Sequence, residues 1–447
     1  MEGLSRWWQV FCLLAALLLV PGAHSRDCQG TIGILTQEDA EAVRKCRVVD
    51  GDILIAVEES QDIDLSGVEV VTGGIAAVSI PYSIRITISS STLTTVGGAL
   101  SLFEVHALRR LSLPKLETVG RWFSLYYCNN LEYLDITSLH TAQSFQIIAP
   151  KLSVLEHTEI REIKGTGPDE GIFIGASSLE SVNSVFDNNI KVNRAVLEKS
   201  PKLKRVVVGF NETDVLTIDN TAFKEGPSFD VIFGGKNTRS QKMREINLSG
   251  GVASVRRDSR LQSLVAETLT ARANNGTHLH LPFDQLRKAV VRDDKVLNWI
   301  SNTARAEQWT EFSLVLANIP NLNLSSEYTV NNRGVTVQTW HWPKKDMVEV
   351  MVKDGTNVKE GFFTSFLEHE NATTHTADQT KVKNFVLEPQ NKKELDCRPF
   401  KPLFDEGVLK GKCTGTAGST SSAHSWRVVS AGWTLAVAAA ASGLLAL

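Results

Sequence analysis

The sequence lacks a strong excess of charge of either sign. Its 447 residues carry a formal net charge of −3. This balance does not favour nucleic acid or an anionic membrane surface as a partner, because both attract an excess of lysine and arginine. No cofactor is expected either. The clearest information therefore comes from the two ends, the cysteines and an internal repeat.

An apolar run near the N-terminus indicates secretion. Residues 1–25 contain Arg6, the run VFCLLAALLLV and small residues up to Ser25. This pattern is typical of a cleaved secretory signal peptide, whose apolar core is too short to span a bilayer. We expect the mature chain to begin at Arg26.

The C-terminal end predicts a glycosylphosphatidylinositol (GPI) anchor. Residues 414–430 form a Ser/Thr/Gly-rich attachment region and spacer, and residues 431–447 form an apolar tail. Gly418, Ser419 and Ser421 are the candidate attachment residues, since each has a small residue two positions further on. A single-pass helix is the alternative, although no basic residue follows the tail to hold it on the cytosolic side.

Five N-glycosylation sequons predict a glycosylated outer surface. The acceptor residues are Asn211, Asn247, Asn275, Asn323 and Asn371. All five lie after residue 200, so the first half of the chain is expected to present an unglycosylated face.

Cysteine is scarce, with six residues, and Cys12 lies in the signal peptide. The spacing of the others predicts two local disulfides, Cys28–Cys46 at the start and Cys397–Cys413 at the end. Each closes a short loop, and their positions suggest caps over the open ends of a repeat array. Cys128 is then left unpaired.

An internal repeat predicts the fold. Residues 93–115 superpose on residues 116–138 with a shift of 23 residues, which aligns leucine, valine and isoleucine at six positions. Weaker copies precede and follow this pair. Short alternating runs separated by Gly, Asn or Pro are typical of strands, and a fixed period of this length is typical of a solenoid. We therefore predict an all-β fold, a parallel β-solenoid with disulfide-bonded terminal caps.

The repeat also suggests a role for Cys128, which aligns with Val105 of the preceding unit. We expect a small buried thiol that packs in the core. A catalytic cysteine needs a partner histidine and a lowered pKa, and no local motif supplies either. An intermolecular or mispaired disulfide is the remaining alternative.

Two solenoid segments are expected. The first, with the N-terminal cap, covers residues 26–200, and the second, more degenerate, covers residues 201–413 with the C-terminal cap. An amphipathic helix is expected within residues 283–301. Its apolar face would be formed by Leu286, Val290, Val296 and Ile300.

A glycan-active enzyme is one alternative, because parallel β-solenoids also host polysaccharide lyases and hydrolases. Such sites need paired carboxylates or a carboxylate and calcium cluster. The candidates are two pairs at alternate strand positions, Asp50 with Asp52 and Asp62 with Asp64, for which we favour a solvated or turn-capping role. His278 and His280 could share one side of a strand as metal ligands, but no third ligand is signalled nearby. We expect neither catalytic nor metal-binding residues.

Aromatic pairs are the candidates for glycan contact. Trp340 and Trp342 would lie on one side of a strand, either in the core or as a platform for sugar rings. Tyr126 and Tyr127 would lie on opposite sides of the sheet, so that only one of them could contact a ligand.

Taken together, these features resemble the fungal GPI-anchored cell-wall organisation glycoproteins built from receptor-L-domain-like, leucine-rich repeats. The resemblance depends on the signal and anchor segments, the N-terminal cysteine pair, the L-x-x-V-G-G coils, NIPNLNLSSEY, TWHWPKKDM and the cysteine-bounded C-terminus. It implies a glycoprotein of the outer plasma-membrane face and cell wall, needed for wall organisation and integrity and without an established catalytic site.

The expected partners are wall polysaccharide or wall proteins, and the membrane through the anchor. A receptor or adhesin that binds a protein ligand is the alternative function.

Overall fold

The structure is a computed structural model. It describes residues 28–221, 228–322, 324, 327–330, 335–338, 340–344, 347–353, 355–358, 360–363, 366–367, 382–390, 392, 395–416 and 418–421. This part of the chain is nearly all β and forms a parallel β-solenoid with disulfides near both ends, which confirms the predicted fold class.

One face of the solenoid is a 17-stranded sheet, here called the long sheet. Its strands follow one another in chain order and pair in parallel, except for the last two, which pair antiparallel. The strands are Ile32–Ile34, Ile53–Ile55, Ile75–Val78, Leu100–Phe103, Trp122–Tyr126, Ser144–Ile148, Ile172–Gly175, Lys191–Glu198, Glu212–Asp219, Ser240–Ser249, Ser263–Arg272, Gln285–Arg292, Phe312–Ala317, Met347–Lys353, Val382–Leu387, Leu409–Gly415 and Gly418–Ser421.

Shorter sheets form the other faces of the coils. The second sheet has five strands: Gln61–Asp64, Ile86–Ser89, Leu108–Ser112, Tyr133–Asp135 and Val154–Glu156. The third sheet has six: Val48–Val49, Val70–Val71, Thr95–Val96, Thr118–Val119, Thr141–Ala142 and Glu162–Ile163.

Later in the chain, other strands form the smaller sheets. They are Arg205–Val208, Phe229–Phe233 and Val252–Arg257 in one sheet, His278–Leu281 and Trp299–Asn302 in another, and the hairpin Glu327–Val330 with Val335–Gln338. The α-helices are Gln37–Val43, Asn183–Phe186 and Lys401–Asp405, and the 3-10 helices are Ala304–Gln308, Glu360–Phe363 and Arg398–Phe400.

The strand register reproduces the 23-residue repeat. Val96 pairs with Val119, and Leu102 pairs with Leu125, in parallel strands of adjacent coils. All four side chains are buried, because alternate residues of each strand point into the solenoid. Identical positions of successive coils therefore stack on one another and fill the core.

The core is continuous along the solenoid, and the long sheet crosses residue 200 without interruption. Glu198 pairs with Asp219 in adjacent parallel strands. The division into two segments at residue 200 stays a prediction, but the sheets on the other faces do change near this point.

Both predicted disulfides are present. The Cα atoms of Cys28 and Cys46 lie 5.6 Å apart, and those of Cys397 and Cys413 lie 5.8 Å apart. Helix Gln37–Val43 packs beside the first bridge and begins with a capping box between Thr36 and Asp39. Each disulfide thus lies at one end of the stacked coils.

The prediction of a helix in residues 283–301 was wrong, since the chain forms strands Gln285–Arg292 and Trp299–Asn302 there. Arg287 and Lys288 both face outward, so the buried neighbours Leu286 and Ala289 are three residues apart. This irregularity places Leu286 and Val290, which the helix prediction put on one face, on opposite sides of the strand. Val296, assigned to the apolar face of the helix, is 43% exposed.

Many strands of the long sheet are followed by a residue with a left-handed backbone conformation. The chain turns there towards the next face of the solenoid. These residues with positive φ are Ser79, Glu104, Tyr127, Lys199, Ala273, Asp293 and Asn318. The residue that follows each of them is buried, as for Val105 and Cys128.

The prediction for Cys128 is confirmed. Its thiol is free and buried, and Sγ lies 3.5 Å from the carbonyl oxygen of Leu102. Burial raises the pKa of the thiol to about 12, which agrees with the predicted packing role.

Candidate functional site

The outward face of the long sheet changes in character along the solenoid. The outward residue nearest the end of each strand forms a row, here called the end row. From Phe103 onward it contains Phe103, Tyr126, Ile148, Gly175, Glu198, Asp219, Ser249, Arg272, Arg292, Ala317 and Lys353. The row is thus aromatic and aliphatic in the first coils and mostly charged from Glu198 onward.

The aromatic start of this row is part of a larger group, here called the aromatic corner: Tyr82, Phe103, His106, Tyr126 and Tyr127. The rings of Phe103 and Tyr126 are nearly parallel, with centroids 5.6 Å apart. Tyr127 contacts Tyr126 edge-on at 4.4 Å, and Tyr82 stacks on His106 at 4.2 Å. The group spans three successive coils at one corner of the solenoid.

Two tyrosines of the aromatic corner are strongly exposed. Tyr82 is 56% exposed and Tyr127 is 41% exposed. Asn129 Nδ2 donates a hydrogen bond of 2.7 Å to the Tyr82 hydroxyl, and the contact with Tyr126 supports Tyr127. Both rings are therefore held in place while a large part of their surface faces solvent.

The expectation that Tyr126 and Tyr127 lie on opposite sides of the sheet was wrong. Tyr126 ends its strand on the outward side, half-buried, and its burial raises the pKa of the phenol. Tyr127 has a φ of +56°, which ends the alternation of the strand and keeps its ring outside as well. Both phenols therefore belong to the same outer surface.

A second outward row, here called the middle row, lies two residues before the end row in each strand. In the first coils it contains Ser101, Ser124 and Gln146, all half-buried. These hydroxyl and amide groups carry no charge. The first half of the outward face thus combines aromatic rings with neutral hydrogen-bonding groups.

The second half of the same face carries a shallow, charged groove of about 820 Å³. Arg287 and Glu311 lie 3.6 Å apart along it, and Lys288 Nζ lies 3.8 Å from an oxygen of Glu349. Opposite charges are paired, so the groove does not create a strong field of one sign.

Three of the five sequon residues lie among the described residues, all of them in the second half. Asn211 is exposed, Asn275 is half-buried, and Asn247 occupies the middle row with Nδ2 2.7 Å from an oxygen of Glu245. Asn323 and Asn371 lie outside the described residues. A glycan on Asn247 would extend from the outward face of the long sheet, whereas the sequence places no sequon between residues 28 and 210.

Of the two alternatives for Trp340 and Trp342, the structure supports a place in the core and not a platform for sugar rings. Trp340 is 0% exposed and Trp342 is 2% exposed. Trp342 packs against Phe362 and Phe363, and its Nε1 donates to the Phe362 carbonyl oxygen at 2.9 Å. The two indoles are part of an aromatic core beneath the C-terminal cap and cannot stack on a sugar.

The four aspartates of the enzyme alternative have structural partners in the first coils. Asp50 accepts from Thr72 Oγ1 (3.0 Å), Asp52 from the Gly74 N–H (2.6 Å), Asp62 from Thr87 Oγ1 (2.5 Å) and Asp64 from the Ser66 N–H (2.9 Å). These bonds link neighbouring coils or cap turns.

His278 and His280 share one hydroxyl group. His278 Nε2 and His280 Nδ1 lie 2.7 Å and 2.8 Å from Ser301 Oγ, and burial lowers the pKa of both imidazoles. Within the described residues, no group of three or more His, Cys, Asp or Glu side chains could hold a metal ion. The histidines therefore join two strands through a serine.

The anchor candidates Gly418, Ser419 and Ser421 lie in the last strand of the long sheet. The backbone of this strand pairs antiparallel with residues 412–415, next to Cys413. The signal peptide and the apolar tail lie outside the described residues. Over the part of the chain that is described, no helix has the length and apolarity needed to cross a membrane.

Sequence reasoning did not identify Tyr82, Phe103 or His106. A signal was available for Phe103, because the 23-residue shift aligns it with Tyr126. Tyr82 and His106 could not be found in this way, since their contact depends on the shape of the corner.

The comparisons with known proteins give a partial relative. A stretch of 99 residues is 34% identical to a protein of Arthroderma benhamiae named "Cell surface GPI-anchored protein". The matched stretch covers 22% of this chain and 25% of the relative, so the match spans about a quarter of the relative's length. No family model matches the chain, and no solved structure matches it.

Proposed function

We propose that this chain is a non-enzymatic, GPI-anchored cell-surface glycoprotein that supports the organisation and integrity of a fungal cell wall. The anchor would hold it at the outer face of the plasma membrane. The solenoid would present the outward face of the long sheet to wall polysaccharide or wall proteins. In this proposal the protein works as a rigid scaffold and needs no cofactor.

The observation that carries the proposal is the first half of this outward face. Exposed aromatic rings and neutral hydroxyl and amide groups lie there on a continuous sheet, and no sequon falls in this part of the sequence. Exposed aromatic surface of this kind is typical of a binding face. The partial relative, named for its surface location and its anchor, supports the cellular setting.

The non-enzymatic part of the proposal is supported by the aspartates. The paired carboxylates expected of a glycan-active site are each engaged with a backbone N–H or a hydroxyl of the first coils. All four lie in the first coils of the solenoid.

The proposal is tested with the full-length chain, expressed in a eukaryotic host and purified in detergent. We would incubate it with insoluble β-glucan, chitin and mannan, and measure its depletion from solution and the release of reducing ends. Depletion without release is expected. Release above that of a heat-denatured control would contradict the non-enzymatic proposal.

If the chain is neither depleted from solution nor releases reducing ends, this result favours the second candidate, a receptor-like ectodomain that binds a protein. The charged groove of the second half is the observation that supports this candidate, because paired charges at a surface give specificity for a protein partner. Crosslinking on intact cells, followed by identification of the attached protein, would then be the informative measurement.

A further inference from the structure

We propose that the aromatic corner binds a linear, uncharged β-linked glucan, with sugar rings stacked on Tyr82 and Tyr127. This inference rests on the proposed function and names the ligand class and the contact residues of the same face. The contact residues differ from Trp340 and Trp342, the candidates in the sequence, which are buried.

The two exposed tyrosines are fixed before any ligand arrives. His106 covers one face of the Tyr82 ring, with an angle of 7° between the two planes, and Asn129 binds the Tyr82 hydroxyl. Tyr127 is positioned by its left-handed backbone and by Tyr126. Because these rings are ordered before binding, little side-chain entropy is lost on association. The loss of side-chain entropy is one of the costs of association.

The spacing of the coils fits a polymer that runs along the solenoid. Tyr82 follows strand Ile75–Val78, and Tyr127 follows strand Trp122–Tyr126, two strands further along the long sheet. Two strand spacings amount to about 10 Å. This is the separation of the two turns, and it is close to the length of one disaccharide in an extended β-linked chain. The Tyr82 ring covers part of this distance, since its hydroxyl contacts Asn129 in the turn of Tyr127. Sugars of a single chain could therefore stack on both tyrosines.

The surroundings favour an uncharged ligand. The middle row beside the aromatic corner offers Ser101, Ser124 and Gln146, whose hydroxyl and amide groups can donate to and accept from sugar hydroxyls. Charged side chains enter the end row only at Glu198, three strands beyond Tyr126. Glu104, in the turn between Phe103 and His106, and Glu198 would repel a polyanion, whereas a neutral glucan matches the rings and the hydroxyl groups of this surface.

The position of the sequons leaves the site open. Asn247 lies five strands beyond Ser124 in the middle row, which is about 24 Å along the sheet. A glycan there would lie over the charged half of the face. The aromatic half remains accessible to a long polysaccharide.

The test is calorimetric titration of the full-length chain in detergent with laminarihexaose, cellohexaose, chitohexaose and mannohexaose. At least one of the two β-glucan hexamers is expected to bind, and more tightly than its disaccharide, because a longer chain contacts more of the outward face beside the two tyrosines. Tyr82→Ala and Tyr127→Asn are each expected to weaken the binding by about tenfold. Asparagine suits position 127 because it tolerates the left-handed backbone.

Tyr133→Ala is the matched control, since this tyrosine lies on the outward side of the second sheet under Arg110. Its loss should leave glucan affinity unchanged. Should a tyrosine variant fail to fold, iodination of the wild-type chain replaces it: a bound hexamer should protect Tyr82 and Tyr127 and leave Tyr133 reactive.

The outcomes separate the inference from the function on which it rests. Binding of a β-glucan that does not depend on Tyr82 or Tyr127 would overturn the proposed site and leave the proposed function intact. Binding of only chitohexaose or mannohexaose would overturn the glucan assignment while the wall-binding function stands. Binding of none of the four, together with no depletion by insoluble wall polysaccharide, would contradict both.

Discussion

The backbone N–H of Asn274 donates a hydrogen bond of 3.0 Å to Oδ2 of Asp294 in the next coil. The other oxygen of Asp294 accepts from the N–H groups of Val296 and Leu297. Asp294 is 1% exposed, and this burial raises the pKa of its carboxyl group. A single buried side chain thus joins two coils and shapes the turn that follows Asp293.

Replacing Asp294 should destabilise the second half of the solenoid. Asp294→Ala leaves three N–H groups without their acceptor, of which those of Asn274 and Leu297 are buried, and we expect a loss of about 2–4 kcal/mol in the free energy of unfolding. Asp294→Asn keeps one acceptor oxygen and should cost less. Urea denaturation followed by circular dichroism would measure both, and equal stability of the alanine variant and wild type would contradict this role.

Removal of this carboxylate should also change the dependence of stability on pH. The folded-state pKa of Asp294 is raised above its unfolded value of about 4, so its contribution is fully present below that value. The contribution is lost as the pH rises through the folded-state pKa. In Asp294→Asn this part of the pH dependence should be absent.

The Cys128 thiol should be unreactive in the folded protein. Its pKa of about 12 and its complete burial leave almost no accessible thiolate at neutral pH. Iodoacetamide should therefore label Cys128 only after denaturation, as judged by mass spectrometry of the peptide. Labelling of the native chain at the rate of an exposed thiol would show that the core around Cys128 opens.

Substitution of Trp342 should be far more damaging than substitution of Trp122. Trp342→Ala removes a buried indole and its hydrogen bond to Phe362, at a cost of about 3–5 kcal/mol. Trp122 lies on the outward face and is 36% exposed, so Trp122→Ala should cost less than about 1 kcal/mol. Thermal unfolding of the two variants would make the comparison, and a similar loss in both would contradict the core assignment.

Much of the fold could be predicted from the sequence because stacking coils impose a strict period. The spacing that aligned Leu102 with Leu125 is the spacing of the paired strands, and the same alignment placed Cys128 in the core. The cysteine pairs were predictable since each closes a short local loop. These features depend on residues that are close in sequence or repeated at a fixed interval.

The errors have local physical causes. The four-residue spacing of Leu286 and Val290 suggested one face of a helix, but the chain forms a strand in which the irregularity at Arg287 and Lys288 puts them on opposite sides. The left-handed backbone at Tyr127 broke the alternation that had been expected to separate it from Tyr126. The two alternatives for Trp342 stayed open in the sequence, because its burial depends on phenylalanines at positions 362, 363 and 366, which no period connects to it.

Acid should destabilise the fold through buried histidines. His157 Nε2 lies 2.7 Å from the Leu139 carbonyl oxygen, and burial lowers the pKa of its imidazole. Burial acts in the same direction on His278 and His280. A lowered folded-state pKa contributes stability that is present above the unfolded value of about 6.5 and is lost as the pH falls through the folded-state pKa.

The melting temperature should therefore fall between pH 7 and pH 5 and remain nearly constant between pH 7 and pH 8. His157→Gln keeps an N–H that can bind the Leu139 carbonyl oxygen but cannot be protonated, so its melting temperature should depend less on pH. The slope of melting temperature against pH is measured for wild type and for His157→Gln in one buffer series. The difference between the two slopes isolates the contribution of His157 from that of the other groups. Parallel slopes would contradict its part in the acid sensitivity.

The N-terminal disulfide should protect the end of the long sheet. Cys28 and Cys46 close a loop that contains the first strand, Ile32–Ile34, which pairs on one side with Ile53–Ile55. Replacing both cysteines with alanine should cost about 3 kcal/mol, because the unfolded loop regains its conformational entropy. The freed strand would also offer an unpaired edge to other molecules.

We therefore expect the Cys28→Ala/Cys46→Ala variant to exchange the amide hydrogens of residues 32–34 faster and to aggregate at lower temperature. The central coils should keep their protection, because each coil of a solenoid contacts only its neighbours. Hydrogen exchange measured by mass spectrometry would show both effects. Uniform loss of protection along the chain would instead indicate that the solenoid unfolds as one cooperative unit and that the cap governs all of it.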